Sequence, residues 1–324
     1  MTTTVAEGDA FVTQFDAHRR ELLAHCYRMT GSIHDAEDLV QETYIRAWRG
    51  YDKFEGRSSM KTWLYRIATN TCLTALEGKA KRPLPTGLGT PSSDPTDDLV
   101  ERHEIPWLEP IAGSDLSDSG DPADIVGGRE SVRLAFVAAL QHLSTRQRAA
   151  LLMREVLQWK ASEVAEALAT TTTAVNSLLQ RARAQLDEIM PSESGVVEPL
   201  SDEMQELLHK YVDSFERYDI DQLVQLFTQD AVWEMPPFVG WYRGGKNIGD
   251  LIKGNCPANR AGDMRMVATT ANGQPAFALY MRNEEGVHVA FQLHVVDVTA
   301  RGVAHVASFF DLRLFERFAL PDRL

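Results

Sequence analysis

The fold is decided by one stretch, Ser32-Ile33-His34-Asp35-Ala36-Glu37-Asp38-Leu39-Val40-Gln41-Glu42-Thr43-Tyr44-Ile45-Arg46-Ala47-Trp48. Ser32 followed by Asp35 is a capping-box-like signal, so a helix is predicted to begin here. Residues at helical spacing predict its buried face: Ala36, Leu39, Val40, Thr43, Tyr44, Ala47 and Trp48.

The opposite face of this helix is acidic and polar, with Asp35, Asp38, Gln41 and Glu42 in its first turns. One interpretation is a solvated face whose carboxylates favour the positive end of the helix dipole. The other interpretation is a surface that binds a partner. The sequence that follows favours the second.

A second amphipathic helix is predicted over residues 60–73, after a polar loop in which Ser58 or Ser59 supplies a cap. Its outer face is predicted to hold Lys61, Tyr65, Arg66, Thr69 and Asn70. Cations, an aromatic ring and an amide suit nucleic acid, because they offer phosphate contacts, a stacking surface and base-edge hydrogen bonds.

The two helices together resemble region 2 of bacterial sigma factors, and most closely the extracytoplasmic-function (ECF) group. The resemblance rests on residues 35–42, DAEDLVQE, and on residues 62–70, TWLYRIATN. It implies that a first domain, residues 1–83, binds core RNA polymerase through Asp35, Asp38, Gln41 and Glu42. It also implies that promoter DNA is melted and read by Lys61, Tyr65, Arg66 and Asn70.

Composition limits where nucleic acid can bind. The 324 residues carry 33 Lys+Arg and 46 Asp+Glu, and the formal net charge of −13 has the wrong sign for a general nucleic-acid binder. Any DNA contact must therefore be local.

Cys26, Cys72 and Cys256 are far apart and lack metal-ligand spacing, which predicts a reducing compartment and no metal site. Because no signal peptide or membrane-spanning stretch is expected, the prediction is a cytoplasmic protein with no membrane contact.

Residues 84–128 are interpreted as an acidic, proline-rich linker. Such a composition buries too little apolar surface to order itself. One interpretation is a simple tether. The resemblance implies another, in which the linker threads the polymerase's RNA path and its acidic chain mimics nucleic acid in a basic channel. Within this linker, the apolar residues 105–110 are expected to dock on something.

Residues 129–190 are predicted to form a helix-turn-helix domain, with its turn at Ala169-Thr170-Thr171. The resemblance implies sigma region 4, which reads the upstream promoter element. On that alignment the DNA-facing residues are Asn176, Ser177, Gln180 and Arg181. Ala169 stands where the family usually has Gly, and Asn176 and Leu178 stand where it usually has Lys and Arg. Fewer phosphate contacts predict weaker, less salt-dependent binding.

A shorter linker, residues 191–201, precedes a third domain, residues 202–324. Two helices, a strand stopped by Pro236-Pro237 and a long meander of strand-like runs are predicted there: 265–270, 275–281, 287–298 and 303–312. This order, with the run 230–237, DAVWEMPP, resembles the SnoaL-like cone-shaped barrel that is fused to some ECF sigma factors. The resemblance implies an α+β barrel.

The SnoaL-like family includes polyketide cyclases and steroid isomerases, so an enzyme has to be weighed. A possible small-molecule pocket is predicted, apolar with a few polar groups. Its lining residues would be Trp233, Met235, Trp241, Tyr242, His288 and His294. Acid–base catalysis in such a pocket is one alternative and ligand sensing is another. The favoured interpretation is that these histidines do no chemistry and face solvent or hydrogen-bonded core partners, because a fold does not imply an activity. No catalytic residue and no cofactor is therefore assigned.

The predicted fold class is multidomain: two all-α sigma domains, the second a helix-turn-helix, followed by an α+β cone-shaped barrel. The predicted function is a non-enzymatic sigma factor that binds core RNA polymerase and promoter DNA and directs transcription initiation. Its C-terminal domain is expected to regulate activity in cis by contacting the sigma domains. Two alternatives remain: a one-component helix-turn-helix regulator with a ligand-sensing barrel, and a cyclase- or isomerase-like enzyme with appended helices.

Overall fold

The computed structural model describes residues 11–116, 131–189 and 200–324. Two compact units divide the chain. The helical unit takes in the described residues of Met1–Arg82 and Leu108–Val196, and the C-terminal unit takes in those of Pro83–Trp107 and Val197–Leu324.

The first half of the helical unit follows residues 11–16, which are helical, and has three longer helices: α1 (Arg19–Thr30), α2 (Ile33–Gly50) and α3 (Met60–Ala75). The predicted start of α2 is confirmed, because the Ser32 hydroxyl accepts the Asp35 N–H at 3.2 Å. Ser59 caps α3 in the same way, accepting the Thr62 N–H at 3.0 Å. One residue of the predicted buried stripe is misplaced, since Trp48 is 47% exposed.

The second half of the helical unit contains the predicted helix-turn-helix. Its helices are α4 (Leu134–His142), α5 (Thr145–Leu151) with a π-helical turn Leu152–Val156, α6 (Ala161–Ala167) and α7 (Thr172–Ile189). The turn between α6 and α7 places Ala169 at a φ of 48°. This left-handed backbone explains why glycine suits the position, because a Cβ is disfavoured there.

Two buried arginines join the halves of the helical unit. Arg28 of α1 donates to the carbonyl and the hydroxyl of Ser131, at 3.1 and 2.8 Å. Arg148 of α5 donates to the carbonyl of Met29 and, at 2.8 Å, to the side chain of Gln141. Burial lowers the pKa of both guanidinium groups to about 10, so both stay charged at neutral pH.

The C-terminal unit packs helices against one sheet. Its helices are α8 (Asp202–Glu216), α9 (Ile220–Leu226), α10 (Gly245–Asn255) and α11 (Arg313–Arg317). Its strands are β1 (Phe227–Glu234), β2 (Trp241–Arg243), β3 (Met264–Ala271), β4 (Gln274–Arg282), β5 (His288–Thr299) and β6 (Gly302–Phe309).

The six strands run in the order β2-β1-β6-β5-β4-β3, so β2 and β3 are edge strands. Strands β1 and β6 are parallel, and every other neighbouring pair is antiparallel. The predicted α+β fold of SnoaL-like type is confirmed. The sheet does not close on itself, so the predicted cone-shaped barrel is open, with β2 and β3 as its edges.

The described part of the acidic linker, residues 84–116, is structured, and the expectation that it cannot order itself is wrong there. Residues 83–107 belong to the C-terminal unit, and residues 108–116 belong to the helical unit. Leu84, Leu108 and Ile111 are 3%, 1% and 0% exposed. The predicted docking of residues 105–110 is therefore observed for Leu108, whereas residues 117–130 and most of the linker 191–201 lie outside the described residues.

Candidate functional sites

The acidic face of α2 divides into two parts. Asp38 and Gln41 are exposed, and Glu42 is half-buried, with its carboxylate 2.7 Å from the Arg46 guanidinium. Leu39 and Val40 between them are buried. Asp38, Gln41 and Glu42 thus form an outward-facing acidic strip, which we call the α2 strip.

Asp35 is engaged differently. Its carboxylate accepts a hydrogen bond from Arg82 at 3.0 Å and lies 3.7 Å from the Lys79 ammonium. Arg82 also lies 3.5 Å from the carboxylate of Glu109. Asp35 is therefore part of an ionic cluster at the beginning of α2, and is not an isolated surface charge.

Glu109 caps α2 from a distance in sequence. Its carboxylate accepts the Ser32 hydroxyl at 2.9 Å and the Ile33 N–H at 3.0 Å. Its backbone is also held, because its N–H donates to Gly31 and its carbonyl accepts the Tyr27 hydroxyl. A carboxylate at this helix end is favoured by the dipole. Sequence reasoning missed this residue, although it lies within the apolar run that was expected to dock.

The predicted DNA face of α3 is confirmed as exposed at three positions: Lys61, Arg66 and Asn70. The exposure predicted for Tyr65 is wrong, because this residue is 4% exposed. Its ring packs edge-on against His25 of α1 at 5.2 Å, and burial, with the nearby Glu21, raises the pKa of its hydroxyl. The predicted exposure of Thr69 is also wrong, since it is buried and bonded to His25 at 2.9 Å.

Both cations of the α3 face have acidic neighbours within the helical unit. The Lys61 ammonium lies 2.9 Å from the Glu21 carboxylate. The Arg66 guanidinium donates to Glu166 of α6 at 2.7 Å. The Arg66–Glu166 pair is well exposed and therefore weak and exchangeable, whereas the Glu21 side chain is only 25% exposed.

The recognition helix of the helix-turn-helix, α7, presents all four predicted residues to solvent: Asn176, Ser177, Gln180 and Arg181. Its opposite side buries Val175, Leu179 and Ala182. The Arg181 guanidinium donates to the Ser177 carbonyl at 3.2 Å, one turn earlier. The helix thus offers two amides, a hydroxyl and a cation on an uncovered face, which is the chemistry of base and phosphate contacts.

The residues predicted to line a ligand pocket fall on two faces of the sheet. Directly paired residues share a face, and successive residues alternate. Trp233 pairs with Tyr242, whereas Glu234 pairs with Trp241. Trp233, Met235 and Tyr242 join the core beneath the helices. Placing Trp241 with them was wrong, because it lies on the other face with Glu234. His288 also bonds elsewhere, to the carbonyl of Gly262 at 2.9 Å.

His294 lies in the core of the C-terminal unit, among aromatic rings. Its Nδ1 lies 2.8 Å from the Tyr211 hydroxyl, and its ring meets Trp233 edge-on at 5.2 Å. Burial lowers the pKa of His294 to about 3, so the imidazole is neutral. Its Nε2 and the Trp233 Nε1 are buried without a hydrogen-bond partner in the described structure. A ligand of this interior stays a prediction.

A buried acid–base pair occupies the opposite face of the sheet. Glu234 of β1 is 1% exposed, and its Oε1 lies 2.7 Å from Nε2 of His305 on β6. Burial by itself lowers the pKa of His305, but the hydrogen bond and charge of Glu234, with the charge of Asp297, raise it overall. The second oxygen of Glu234 accepts the Thr86 N–H at 2.9 Å. The pair therefore anchors a residue of the acidic linker.

Across the described residues, 11–116, 131–189 and 200–324, no group of His, Cys, Asp and Glu has an arrangement that could hold a metal ion. Among those same residues, no helix is long and apolar enough to span a membrane.

Comparison with known families matches all three domains. Sigma-70 region 2 matches residues 14–82, sigma-70 region 4 matches residues 133–186, and the SnoaL-like domain matches residues 208–313. The fold and surfaces thus define an RNA polymerase sigma factor with a SnoaL-like C-terminal domain. This class of protein binds core RNA polymerase and promoter DNA.

Similarity to curated proteins specifies the group. ECF RNA polymerase sigma factor SigG of Mycobacterium tuberculosis (strain ATCC 25618 / H37Rv) is 61% identical over 318 residues, which cover 98% of this chain and 85% of SigG. The chain therefore belongs to the ECF sigma factors. SigJ of the same strain is 29% identical over 250 residues, 75% of this chain and 72% of SigJ. The crystal structure of M. tuberculosis SigJ has the same fold, with a TM-score of 0.63 at 21% identity, covering 96% of this chain and 100% of that one.

Proposed function

We propose that the α2 strip binds core RNA polymerase, that α3 and α7 contact the promoter, and that the C-terminal unit regulates initiation in cis. The observation that carries the proposal is the exposure of Asp38 and Gln41 on α2, at positions of the motif by which the chain resembles ECF region 2. This function requires no catalytic residue in the chain. It also places the protein with polymerase, in the cytoplasm.

The proposed polymerase contact is narrower than the motif. Asp35 is bonded to Arg82, so its carboxylate is already engaged at the helix start. Asp38, Gln41 and Glu42 keep their polar atoms at the surface or beside a single exposed arginine. We assign the contact to these three residues and a positioning role to Asp35.

Promoter contact is assigned to Lys61, Arg66 and Asn70 on α3, and to Asn176, Ser177, Gln180 and Arg181 on α7. The cations supply phosphate contacts, and the amides supply base-edge hydrogen bonds. Tyr65 is left out of this set because its ring is buried.

Charge reversal on the α2 strip tests the polymerase contact. Asp38→Lys with Glu42→Lys should weaken binding of labelled protein to core polymerase at least tenfold, since both carboxylates would become cations. Stability should change by only about 0.5 kcal/mol, as is usual for exposed substitutions.

The matched control is Asp187→Lys with Glu188→Lys, two exposed acids near the end of α7. It changes the net charge equally, so any general charge effect appears in both variants. Undiminished core binding by the folded α2 variant, or equal loss in the control, would refute the assignment.

Regulation in cis is supported by the division of the chain. Residues 83–107 are the first part of the chain between the two sigma regions, residues 14–82 and 133–186, yet they pack as part of the C-terminal unit. The C-terminal domain therefore holds part of the segment that connects the two sigma regions. Transcription assays with and without that domain, set out in the Discussion, test this part of the proposal.

A further inference from the structure

One edge of the sheet in the C-terminal unit, at strand β2, is covered by part of the chain between the two sigma regions. Strand β2 pairs on one side with β1. Along its other side and the residues before it, the Arg102 N–H donates to Pro237, the Val239 N–H donates to Val100, and the Ser93 N–H donates to Trp241, at 2.8–3.0 Å. Glu101 and Phe238 form one antiparallel bridge there, and backbone groups provide these contacts, as they do when a segment is added to a sheet edge.

Three further hydrogen bonds hold the same segment. The Trp241 indole N–H donates to the Thr90 carbonyl at 2.9 Å. The Arg243 N–H donates to the Ser92 hydroxyl at 3.1 Å, and Glu234, backed by His305, accepts the Thr86 N–H. We call residues 84–102 the strap.

The strap turns its acidic side chains away from the domain that holds it. Its carboxylates are exposed: Asp94, Asp97, Asp98 and Glu101. Its apolar contribution is small, with Leu84 and Pro85 buried and Leu99 partly buried against the core. Attachment through backbone hydrogen bonds gives little net stability per bond, because each replaces a bond to water. A segment attached in this way opens at low cost compared with the core strands.

Release of the strap would free a loop on the helical unit. Both ends of the segment 83–107 stay in that unit, where Arg82 lies 3.5 Å from the Glu109 carboxylate, so the freed loop extends at most about 40 Å from its ends at about 3.3 Å per residue. Release would also free a run of carboxylates suited to a basic channel. Both properties are those that a linker needs if it threads a nucleic-acid path in the polymerase.

We propose that the β2 edge of the C-terminal domain is a binding surface for the strap, and that productive engagement of core polymerase requires the strap to leave it. The domain thereby acts as an intramolecular competitor for the sigma linker. This inference rests on the proposed sigma-factor function and gives its regulatory part a physical mechanism.

A disulfide can lock the strap in place. A Cβ built on Gly240 would lie 3.6 Å from the Cβ of Ser93, within the range of disulfide-bonded cysteines. The test protein is the full chain carrying Ser93→Cys and Gly240→Cys, with Cys256→Ser to remove a half-buried thiol. The parent with Cys256→Ser alone and each single-cysteine variant are carried through the same oxidation and reduction. Non-reducing electrophoresis reports the crosslink.

Run-off transcription with core polymerase is then compared for oxidised and reduced protein. The locked form is expected to lose at least tenfold in activity and to regain it on reduction, while the parent responds to neither treatment. A second variant, Trp241→Phe, weakens the attachment of the strap. It keeps an aromatic ring but loses the hydrogen bond to the Thr90 carbonyl. It should raise activity up to about fivefold, the factor that corresponds to one hydrogen bond.

The outcomes separate this inference from the sigma-factor proposal. A parent protein that does not activate core polymerase on any promoter would refute the sigma-factor proposal itself. If the parent is active, equal activity of locked and reduced protein overturns the strap proposal alone, as does a folded cysteine pair that fails to crosslink. Should the double-cysteine protein be inactive even when reduced, unchanged or lower activity of Trp241→Phe overturns it instead.

Discussion

Replacing Glu109 should loosen the beginning of α2, which carries the proposed polymerase contact. The Glu109 carboxylate accepts two hydrogen bonds there, from the Ser32 hydroxyl and the Ile33 N–H, and it lies 3.5 Å from the Arg82 guanidinium. In Glu109→Ala these donors lose their partner, and Arg82 keeps only Asp35 among these carboxylates. In Glu109→Gln an amide oxygen can still accept a hydrogen bond, but the charge is gone.

The magnitude follows from the contacts. A hydrogen bond to a charged group contributes about 1.5–3 kcal/mol, and a carboxylate at a helix N-terminus about 0.3–1 kcal/mol. The contributions overlap, and the Glu109 side chain is 20% exposed, so water can partly replace it. We therefore expect a cost of about 2 kcal/mol for Glu109→Ala and about 1 kcal/mol for Glu109→Gln, using the lower part of those ranges. A cost of about 2 kcal/mol corresponds to about a thirtyfold change in a local opening equilibrium.

Amide hydrogen exchange is the appropriate assay, because a chain of two compact units need not unfold in one step. A peptide covering residues 27–42 should lose about thirtyfold in protection in Glu109→Ala, the factor expected from about 2 kcal/mol. The control is Glu104→Ala, whose carboxylate is 65% exposed and bonded to Arg102. Unchanged exchange in Glu109→Ala, or an equal loss in the control, would refute the role of Glu109 as the cap of α2.

Three further predictions concern promoter reading, the buried pair and the C-terminal domain. Asn70→Ala should relax preference at one promoter position by about 1–3 kcal/mol, whereas Tyr65→Phe should leave preference unchanged; run-off transcription across promoter variants measures both, and a uniform loss in Asn70→Ala would reassign it to backbone contact. The pKa of His305 is raised above its ordinary 6.5, so its contribution to stability is complete below that pH and is lost as pH rises through the folded pKa. Glu234→Gln should therefore reduce the difference in urea stability between about pH 6 and about pH 8, and an unchanged difference would contradict the pairing. Truncation after Leu200 should raise transcription at equal core occupancy, and identical activity on several promoters would show that the C-terminal domain does not regulate.

Local interactions made much of the fold predictable. The caps at Ser32 and Ser59 involve partners three residues away, so the sequence alone displays them. The meander was predictable for a similar reason, because alternation along one strand reports its own two faces. The strand runs predicted at 265–270 and 275–281 correspond to Met264–Ala271 and Gln274–Arg282.

The errors arose where a distant partner decides the outcome. Tyr65 lies at the boundary between the two faces of α3, and only contact with His25 of α1 determines that it is buried. The cap formed by Glu109 on Ser32 joins residues 77 positions apart. No periodicity records such a contact, and no periodicity pairs Glu234 with His305 either, since they meet only because β1 and β6 are neighbours.

The strap was misjudged for a different physical reason. Composition reports how much apolar surface a segment can bury, and residues 84–128 are indeed poor in it. The bonds to Trp241, Val239 and Pro237 use backbone groups, which every sequence carries. An acidic segment can thus be ordered by a sheet edge without any apolar signature of its own.

The net charge of −13 is compatible with the proposed promoter contact because the acid paired with Arg66 is replaceable. Glu166 is an exposed partner of Arg66, and such a surface pair contributes at most about 1 kcal/mol. In the proposed promoter contact a DNA phosphate takes the place of the Glu166 carboxylate, and release of counterions from DNA favours the exchange. Arg28 and Arg148 behave differently, since both are buried and bonded to main-chain carbonyls. The helical unit therefore separates buried cations that hold the fold from exposed cations that we propose for DNA contact.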